Sequence, residues 1–240
     1  MLVEVCSTSI QSIKNAALAG ADRIELCTAL ELGGLTPSKG LLERAQELNL
    51  LDIHCLVRPR GGHFMYTDEE INVIERDIAY LKELGCIGVV LGALTEDYHV
   101  HFKLLERWKQ LAGTMYLTFH RAFDVVKYPT EALQQLIDLG FDCVLTAGQS
   151  EKAIDGFKNL CEWQHQFGDQ ILIMPGSGVN ATNCLKFKTA GFKVLHLSGA
   201  APLPNLTPPN SIHSEISFLG QPIFESNQAN IHEVVNQVKD

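Results

Sequence analysis

The feature that most constrains the fold is a pattern that occurs four times along the 240-residue chain. In each copy a helical stretch ends at a glycine, a few residues follow, and an aliphatic or β-branched run begins. The copies read AALAGADRIELC, LKELGCIGVVLGAL, LIDLGFDCVLTAGQ and FKTAGFKVLHLSGA, with the glycines at Gly20, Gly85, Gly140 and Gly191. Glycine just past a helix is typical of a left-handed cap. The pattern therefore predicts four units of helix, cap and strand.

The spacing of these glycines predicts further strands between the four units. The glycines are 65, 55 and 51 residues apart, which is too far for one βα unit and suitable for two. Aliphatic runs at 50–57, 114–120 and 170–175 lie in the gaps, and LVEVC at 2–6 precedes the first unit. Eight strands alternating with helices predict an α/β fold, the (β/α)8 TIM barrel. A doubly wound open sheet is the alternative, but the first turn, CSTSIQS, lacks the glycine pattern of a dinucleotide site.

The chain is long enough to form this barrel as one domain, which we expect to cover residues 1–240. We place the barrel strands within 2–198 and assign 199–240 to a long loop and a final helix. The loop contains APLPNLTPPN, and we expect it to cover one mouth of the barrel.

Composition excludes several classes of partner. A net charge of −9 without a basic cluster disfavours nucleic acid. Apolar segments stay well short of the roughly 20 residues that span a bilayer, so we expect no membrane partner. A strand-like run directly after the first residue is not typical of a signal peptide. Seven cysteines without a CxxC pair favour a reducing compartment, so we expect a cytoplasmic protein.

In a (β/α)8 barrel the reactive groups gather where the strands end, so polar residues there are the candidates for function. Side chains alternate along a strand, which puts Glu4 with Cys6, and Glu25 with Cys27, on one face. Adjacent strands are staggered by about one residue, which still allows one ion to bridge the two thiols. A buried carboxylate is costly unless it is paired, and Arg58 and Arg121 are the expected partners.

Other motifs at strand ends point to an anionic ligand and to proton transfer. TFHRAFD brings His120, Arg121 and Asp124 to one strand end, either as catalytic groups or as an Arg121–Asp124 ion pair beside a core histidine. Two arginines, Arg58 and Arg60, flank a proline in VRPRGGHF. The glycine-rich loops MPGSGV and LSGA follow the last two strands, where barrels often bind phosphate; their candidate anion contacts are Gly176, Gly178, Ser198 and Gly199.

The segments EVC, GADRIELC, GGLTPS, RPRGG, GALTED, TFHRAFD, LTAGQ and MPGSGV, in this order from residue 3 to about residue 199, resemble the CutC family of copper homeostasis proteins. The resemblance implies a TIM barrel, a cytoplasmic location, homo-oligomers such as dimers or tetramers, and a Cu(I) site at Cys6 and Cys27. Two thiolates suit this soft ion. The chain departs from the family pattern at His63, where Asp is expected, and at Ala200, where Arg is frequent; the second change removes a possible anion contact.

Two hypotheses follow. In the first, a cytoplasmic protein of copper homeostasis binds Cu(I) through Cys6 and Cys27. In the second, an enzyme acts on a small anionic or phosphorylated metabolite, with Glu25, His120 and Asp124 as candidate catalytic residues. The anion contacts are then the arginines and loop residues named above. Carboxylate and imidazole groups also suit harder divalent ions, so a Zn²⁺ or Mn²⁺ site stays open.

Overall fold

The computed structural model describes residues 1–203 and 223–239. Eight parallel strands form one sheet in the order β7-β6-β5-β4-β3-β2-β1-β8. β7 and β8 lie side by side at the two ends of this order and nearly close it into a barrel. The strands are β1 (Leu2–Ser7), β2 (Arg23–Leu26), β3 (Asp52–Leu56), β4 (Gly88–Leu91), β5 (Tyr116–Phe119), β6 (Cys143–Thr146), β7 (Leu172–Pro175) and β8 (Val194–Leu197). The predicted (β/α)8 fold is confirmed.

Helices alternate with the strands along the chain. They are α1 (Ile10–Leu18), α2 (Lys39–Leu48), α3 (Asp68–Leu84), α4 (Phe102–Ala112), α5 (Pro129–Asp138), α6 (Phe157–Phe167), α7 (Cys184–Thr189) and α8 (Gln228–Lys239). Short 3-10 helices at Leu30–Leu32 and Arg121–Val125 follow β2 and β5. In the part of the chain that the structure describes, no helix is both long and apolar enough to cross a bilayer.

Local sequence signals explain where several helices begin and end. Ser9 starts α1 by accepting a hydrogen bond from the Ser12 amide, and Thr67 and Glu70 form a reciprocal capping box at the start of α3. The four repeat glycines all have positive φ angles, between +72° and +85°, as predicted. This conformation costs glycine little because it lacks a Cβ atom.

The strands separate an outer apolar core from a polar interior. Val3 and Val5 of β1 face the helices, whereas Glu4 and Cys6 face the barrel axis and are equally buried. The floor of the interior is filled by apolar and aromatic side chains, including Cys143, Met174 and Val194. Ionisable groups occupy the layers above this floor, so the barrel positions its polar side chains toward one end.

The segment predicted as a long loop contains two short strands, β9 (Ala200–Pro202) and β10 (Phe224–Ser226), which pair antiparallel. β10 packs against α1: Asn15 Nδ2 of the helix donates to the Ser226 carbonyl, and Oγ of the N-cap residue Ser9 donates to Glu225 Oε1, both at 2.8 Å. The expected loop is therefore structured at both ends, and 204–222 lie outside the described residues. A single domain and a loop-covered mouth stay predictions.

Candidate functional site

A cavity of about 500 Å³ opens at the carboxyl ends of the strands. The strand ends and the loops after them provide its lining, as a (β/α)8 barrel predicts. The predicted site residues that line it are Cys6, Glu25, Cys27, Arg58, His120, Arg121, Asp124, Gly178 and Ser198. His196, at the end of β8, also lines the cavity.

Three predicted anion contacts do not join this cavity. Arg60 turns away to pair with Glu70, at 2.5 Å from Nε to Oε1, and donates to backbone carbonyls of its own loop. A Cβ atom at Gly176 would collide with the Leu145 side chain, and one at Gly199 would lie 2.6 Å from Ile231 Cγ1. The side chain of Arg60 and the two glycines are thus explained by local structure and packing.

The two predicted metal ligands meet at the cavity wall. Cys6 Sγ and Cys27 Sγ are 3.3 Å apart, and both residues are buried. In the register of β1 and β2, Cys6 lies opposite Glu25, and Cys27 follows two positions later. The stagger between the strands thus leaves the two sulfurs in contact. The hydrogen bond with Cys27, together with burial, raises the pKa of the Cys6 thiol well above its usual value.

Beneath the thiols, Glu4 is the centre of a buried ionic cluster. Its Oε2 accepts from Arg23 Nε at 2.5 Å, and its Oε1 contacts His196 Nδ1 at 2.8 Å. His54 Nδ1 lies 3.8 Å from the same carboxylate. Burial opposes ionisation of Glu4, but the His196 hydrogen bond and the Arg23 charge outweigh it and lower its pKa to about 2. Glu4 is therefore an anion in the barrel interior.

The prediction that Arg58 or Arg121 pairs with the buried carboxylate is wrong for Glu4, which pairs with Arg23. Arg23 takes that position because parallel pairing places Arg23 directly beside Glu4. The signal was present in the sequence: Arg23 lies two residues before Glu25, so strand alternation puts both on the inward face. Arg23 is not among the predicted site residues, because it lies at the start of β2 and those residues were expected at the carboxyl ends of the strands.

The imidazole of His196 connects Glu4 to Glu25. With Glu4 ionised, Nδ1 donates to Glu4, and Nε2 then lies 3.6 Å from Glu25 Oε2. Burial lowers the pKa of His196, but the carboxylates of Glu25 and Glu4 more than offset this and raise it. Burial raises the pKa of Glu25. One donor atom each from Cys6, Glu25 and His196 lies within 4.8 Å of the other two.

His120 presents a nitrogen without a partner. Its Nδ1 accepts from the Ala122 amide at 3.2 Å, so the ring proton of the neutral imidazole is on Nε2. Nε2 is buried and has no hydrogen-bond partner within 1–203 and 223–239. Burial and the charge of Arg58 lower the pKa of His120 to about 3. The ring is therefore neutral, and its Nε2–H is a buried donor in a residue that lines the cavity.

The Arg58 side chain connects the loops around the cavity mouth through hydrogen bonds. Its guanidinium donates to the carbonyls of Leu32, Gly34 and Gly62 at 2.8–3.1 Å and stacks over Phe64. Its Nε is buried without a partner among the described residues. Arg58 therefore combines a structural role in these loops with a positive charge beside His120.

Asp124 and Arg121 form the ion pair that was one of the two alternatives for TFHRAFD, at 2.7 Å. Asp124 also accepts from Thr146 Oγ1 at 2.5 Å and from the Ala147 and Gln149 amides at 3.0 Å. These contacts occupy its lone pairs and attach the loop after β6 to the loop after β5. The geometry thus favours a positioning role for Asp124 over proton transfer.

A profile of the CutC family matches residues 1–201. The chain belongs to the CutC family. A family protein CutC of Pasteurella multocida is 38% identical over 242 residues, covering 100% of this chain and 99% of the relative. One from Salmonella schwarzengrund is 43% identical over 204 residues, covering 85% of this chain and 82% of the relative. A CutC crystal structure from Streptococcus agalactiae superposes with a TM-score of 0.79 at 32% identity, covering 82% of this chain and 98% of the other.

Proposed function

We propose that this CutC protein binds Cu(I) through Cys6 and Cys27 and acts in copper homeostasis. The observation that carries the proposal is the 3.3 Å contact between the two sulfurs at a cavity wall. Thiolates are the soft ligands that Cu(I) prefers. The Streptococcus agalactiae relative is described, provisionally, as a copper homeostasis protein.

The carboxylate and imidazole groups beside the thiols fit this role. Binding of Cu(I) displaces the thiol protons, because the thiolate is the ligand. Glu25 and His196 lie next to Cys6 and are groups that can accept such protons. All seven cysteines are free thiols, which agrees with a reducing compartment. We therefore propose a cytoplasmic location, and from the family a homo-oligomer, which light scattering on the purified protein tests.

The test is an anaerobic Cu(I) titration against a chelator of known affinity. We expect one Cu(I) per chain in the wild type and loss of this binding in the Cys6→Ser/Cys27→Ser double variant. Cys86→Ala is the matched control, because Cys86 is also buried but lies in the outer core. Wild-type affinity in the double variant would refute the proposal.

A second function, binding of a small anionic metabolite, is favoured by the unpartnered Nε2–H of His120 beside Arg58 in the same cavity. In this function Glu25 acts as acid or base, and the neutral His120 donates its Nε2–H to the ligand rather than transferring a proton. Arg58 and Arg121 attract the anion, and Gly178 and Ser198 border it. A buried donor without a partner costs about 1–3 kcal/mol, which a ligand acceptor can offset.

Thermal unfolding with inorganic phosphate and a panel of small phosphorylated metabolites tests this second function. A ligand at 100 times its Kd stabilises a protein by about 2.7 kcal/mol, which raises Tm measurably. We expect a rise in the wild type that His120→Asn reduces, since the Asn side chain keeps the acceptor for Ala122 but does not extend to the same point. The absence of any shift across the panel would count against this function.

A further inference from the structure

We propose a second metal site in the cavity, in which Cys6 Sγ, a Glu25 oxygen and His196 Nε2 bind a divalent cation of borderline softness such as Zn²⁺. The site shares Cys6 with the Cu(I) pair but does not use Cys27. It therefore goes beyond the proposed function and can be tested separately from it.

The distances between donor atoms carry the proposal. The three donors lie within 4.8 Å of one another, and His196 Nε2 is 3.6 Å from Glu25 Oε2. Bonds of about 2.0–2.3 Å to a tetrahedral ion separate its ligand atoms by roughly 3.3–3.8 Å. The imidazole and the carboxylate thus already have the required separation, and the sulfur needs a side-chain adjustment of about 1 Å at most.

The contact between Glu4 and His196, beneath the proposed site, favours metal binding by His196. Glu4 accepts from Nδ1 at 2.8 Å, which orients the ring and leaves Nε2 as the atom that faces Glu25. A carboxylate behind a histidine ligand is the usual support of a zinc site, because it sets the tautomer and increases the basicity of the other nitrogen. Arg23 in turn holds Glu4 from the other side.

The donor set selects the class of cation. One sulfur, one imidazole nitrogen and one carboxylate oxygen suit Zn²⁺ and its analogue Co²⁺, whereas Mg²⁺ and Ca²⁺ prefer oxygen ligands throughout. Three protein ligands leave one position of a tetrahedral ion for a further ligand, the pattern of catalytic rather than structural zinc. All three residues line the cavity. The free position is therefore accessible to a molecule bound near Arg58 and His120.

Anaerobic titration of the metal-free full chain with Co²⁺, followed by displacement with Zn²⁺, tests the site. Tetrahedral Co²⁺ bound to a thiolate gives visible d–d bands and a near-ultraviolet charge-transfer band. We expect both bands at one equivalent in the wild type, in Cys27→Ser and in His165→Asn, a control at an exposed histidine. We expect Cys6→Ser to lose the charge-transfer band. Affinity should fall at least about tenfold in Glu25→Gln and in His196→Asn.

Crossed variants separate this site from the Cu(I) pair. Cys27→Ser should lose tight Cu(I) binding and keep Co²⁺, whereas His196→Asn should do the reverse. If Co²⁺ binding fails in the wild type, or persists unchanged in folded Glu25→Gln and His196→Asn, the proposal is overturned whatever Cu(I) does. If a variant does not fold, X-ray absorption at the zinc edge, measured on the zinc-loaded wild type, identifies the ligands of the ion directly. One sulfur with nitrogen and oxygen neighbours is expected, and two sulfurs or none would overturn the proposal.

Discussion

Glu4 and His196 are joined by a 2.8 Å contact between Oε1 and Nδ1, although 192 positions separate them in the chain. The pairing of β1 with β8 sets these residues directly opposite each other. Because β2 brings Arg23 to the other oxygen of Glu4, three strands share one buried carboxylate. This cluster forms the layer below the two cysteines and orients the imidazole that faces them.

Replacing Glu4 with Gln should destabilise the fold by about 3–5 kcal/mol, because Arg23 then stays buried without a counter-charge. The free energy of unfolding from urea titrations measures the effect. The double variant Glu4→Gln/Arg23→Met should recover part of the loss, since it removes the unpaired charge. A loss below about 1 kcal/mol in Glu4→Gln would show that the ion pair does not support the barrel.

The same Glu4→Gln variant, studied where it remains folded, should bind Zn²⁺ roughly 10–100 times more weakly than the wild type. The reason is that an amide fixes the tautomer of His196 less firmly than a carboxylate does. Competition with a zinc chelator measures the affinity. Cu(I) affinity is the internal control, because Cys6 and Cys27 do not contact the side chain of Glu4 through a hydrogen bond in the described structure.

His120 should make the stability depend on pH. A histidine in the unfolded chain titrates near pH 6.5, whereas burial lowers the pKa of His120 in the fold to about 3. Between these values the unfolded chain binds a proton that the folded chain does not, so the free energy of unfolding falls as the pH decreases from about 6.5 to about 3. Urea unfolding of His120→Asn at several pH values should show a weaker dependence than the wild type. The same dependence of unfolding free energy on pH in the variant and in the wild type would contradict the lowered pKa of His120.

Arg58→Lys should loosen the loops after β2 and β3, because an ammonium group cannot reproduce the fork that contacts the carbonyls of Leu32, Gly34 and Gly62. The Gly34 carbonyl is buried, and leaving it unpaired costs about 1–3 kcal/mol. Hydrogen exchange should accelerate in 28–36 and 58–64 more than elsewhere. Arg44→Lys is the control, because Arg44 lies at an exposed helical position with a surface ion pair. It should change neither the free energy of unfolding nor the exchange rates of these loops.

Asp124→Asn should lower stability by about 2 kcal/mol, because the amide nitrogen of the new side chain cannot accept hydrogen bonds. The wild-type carboxylate accepts from Thr146, Ala147 and Gln149, in addition to Arg121. Chemical unfolding measures the loss. Unchanged stability would remove the positioning role and restore Asp124 as a candidate acid or base.

Local sequence determined the barrel architecture. Helix caps, aliphatic runs and their spacing are properties of neighbouring residues, so they predict strands near their observed positions. For example, the run at 114–120 contains β5, Tyr116–Phe119. Strand alternation likewise predicted that Glu4, Cys6, Glu25 and Cys27 share the interior. Local sequence did not predict the two short strands after β8, because the pairing of β9 with β10 joins residues more than 20 positions apart.

Tertiary structure alone decided which of these side chains meet. The register of β1 and β2 selects Arg23 as the partner of Glu4, and the position of β8 beside β1 adds His196. Sequence can place an ionisable group on the inward face of a strand. It does not give the rotation of that strand against its neighbours or the direction of a long side chain, and these set whether Arg60 enters the cavity or pairs with Glu70. The barrel was therefore predictable from local periodicity, whereas the site depends on how the closed sheet aligns its strands.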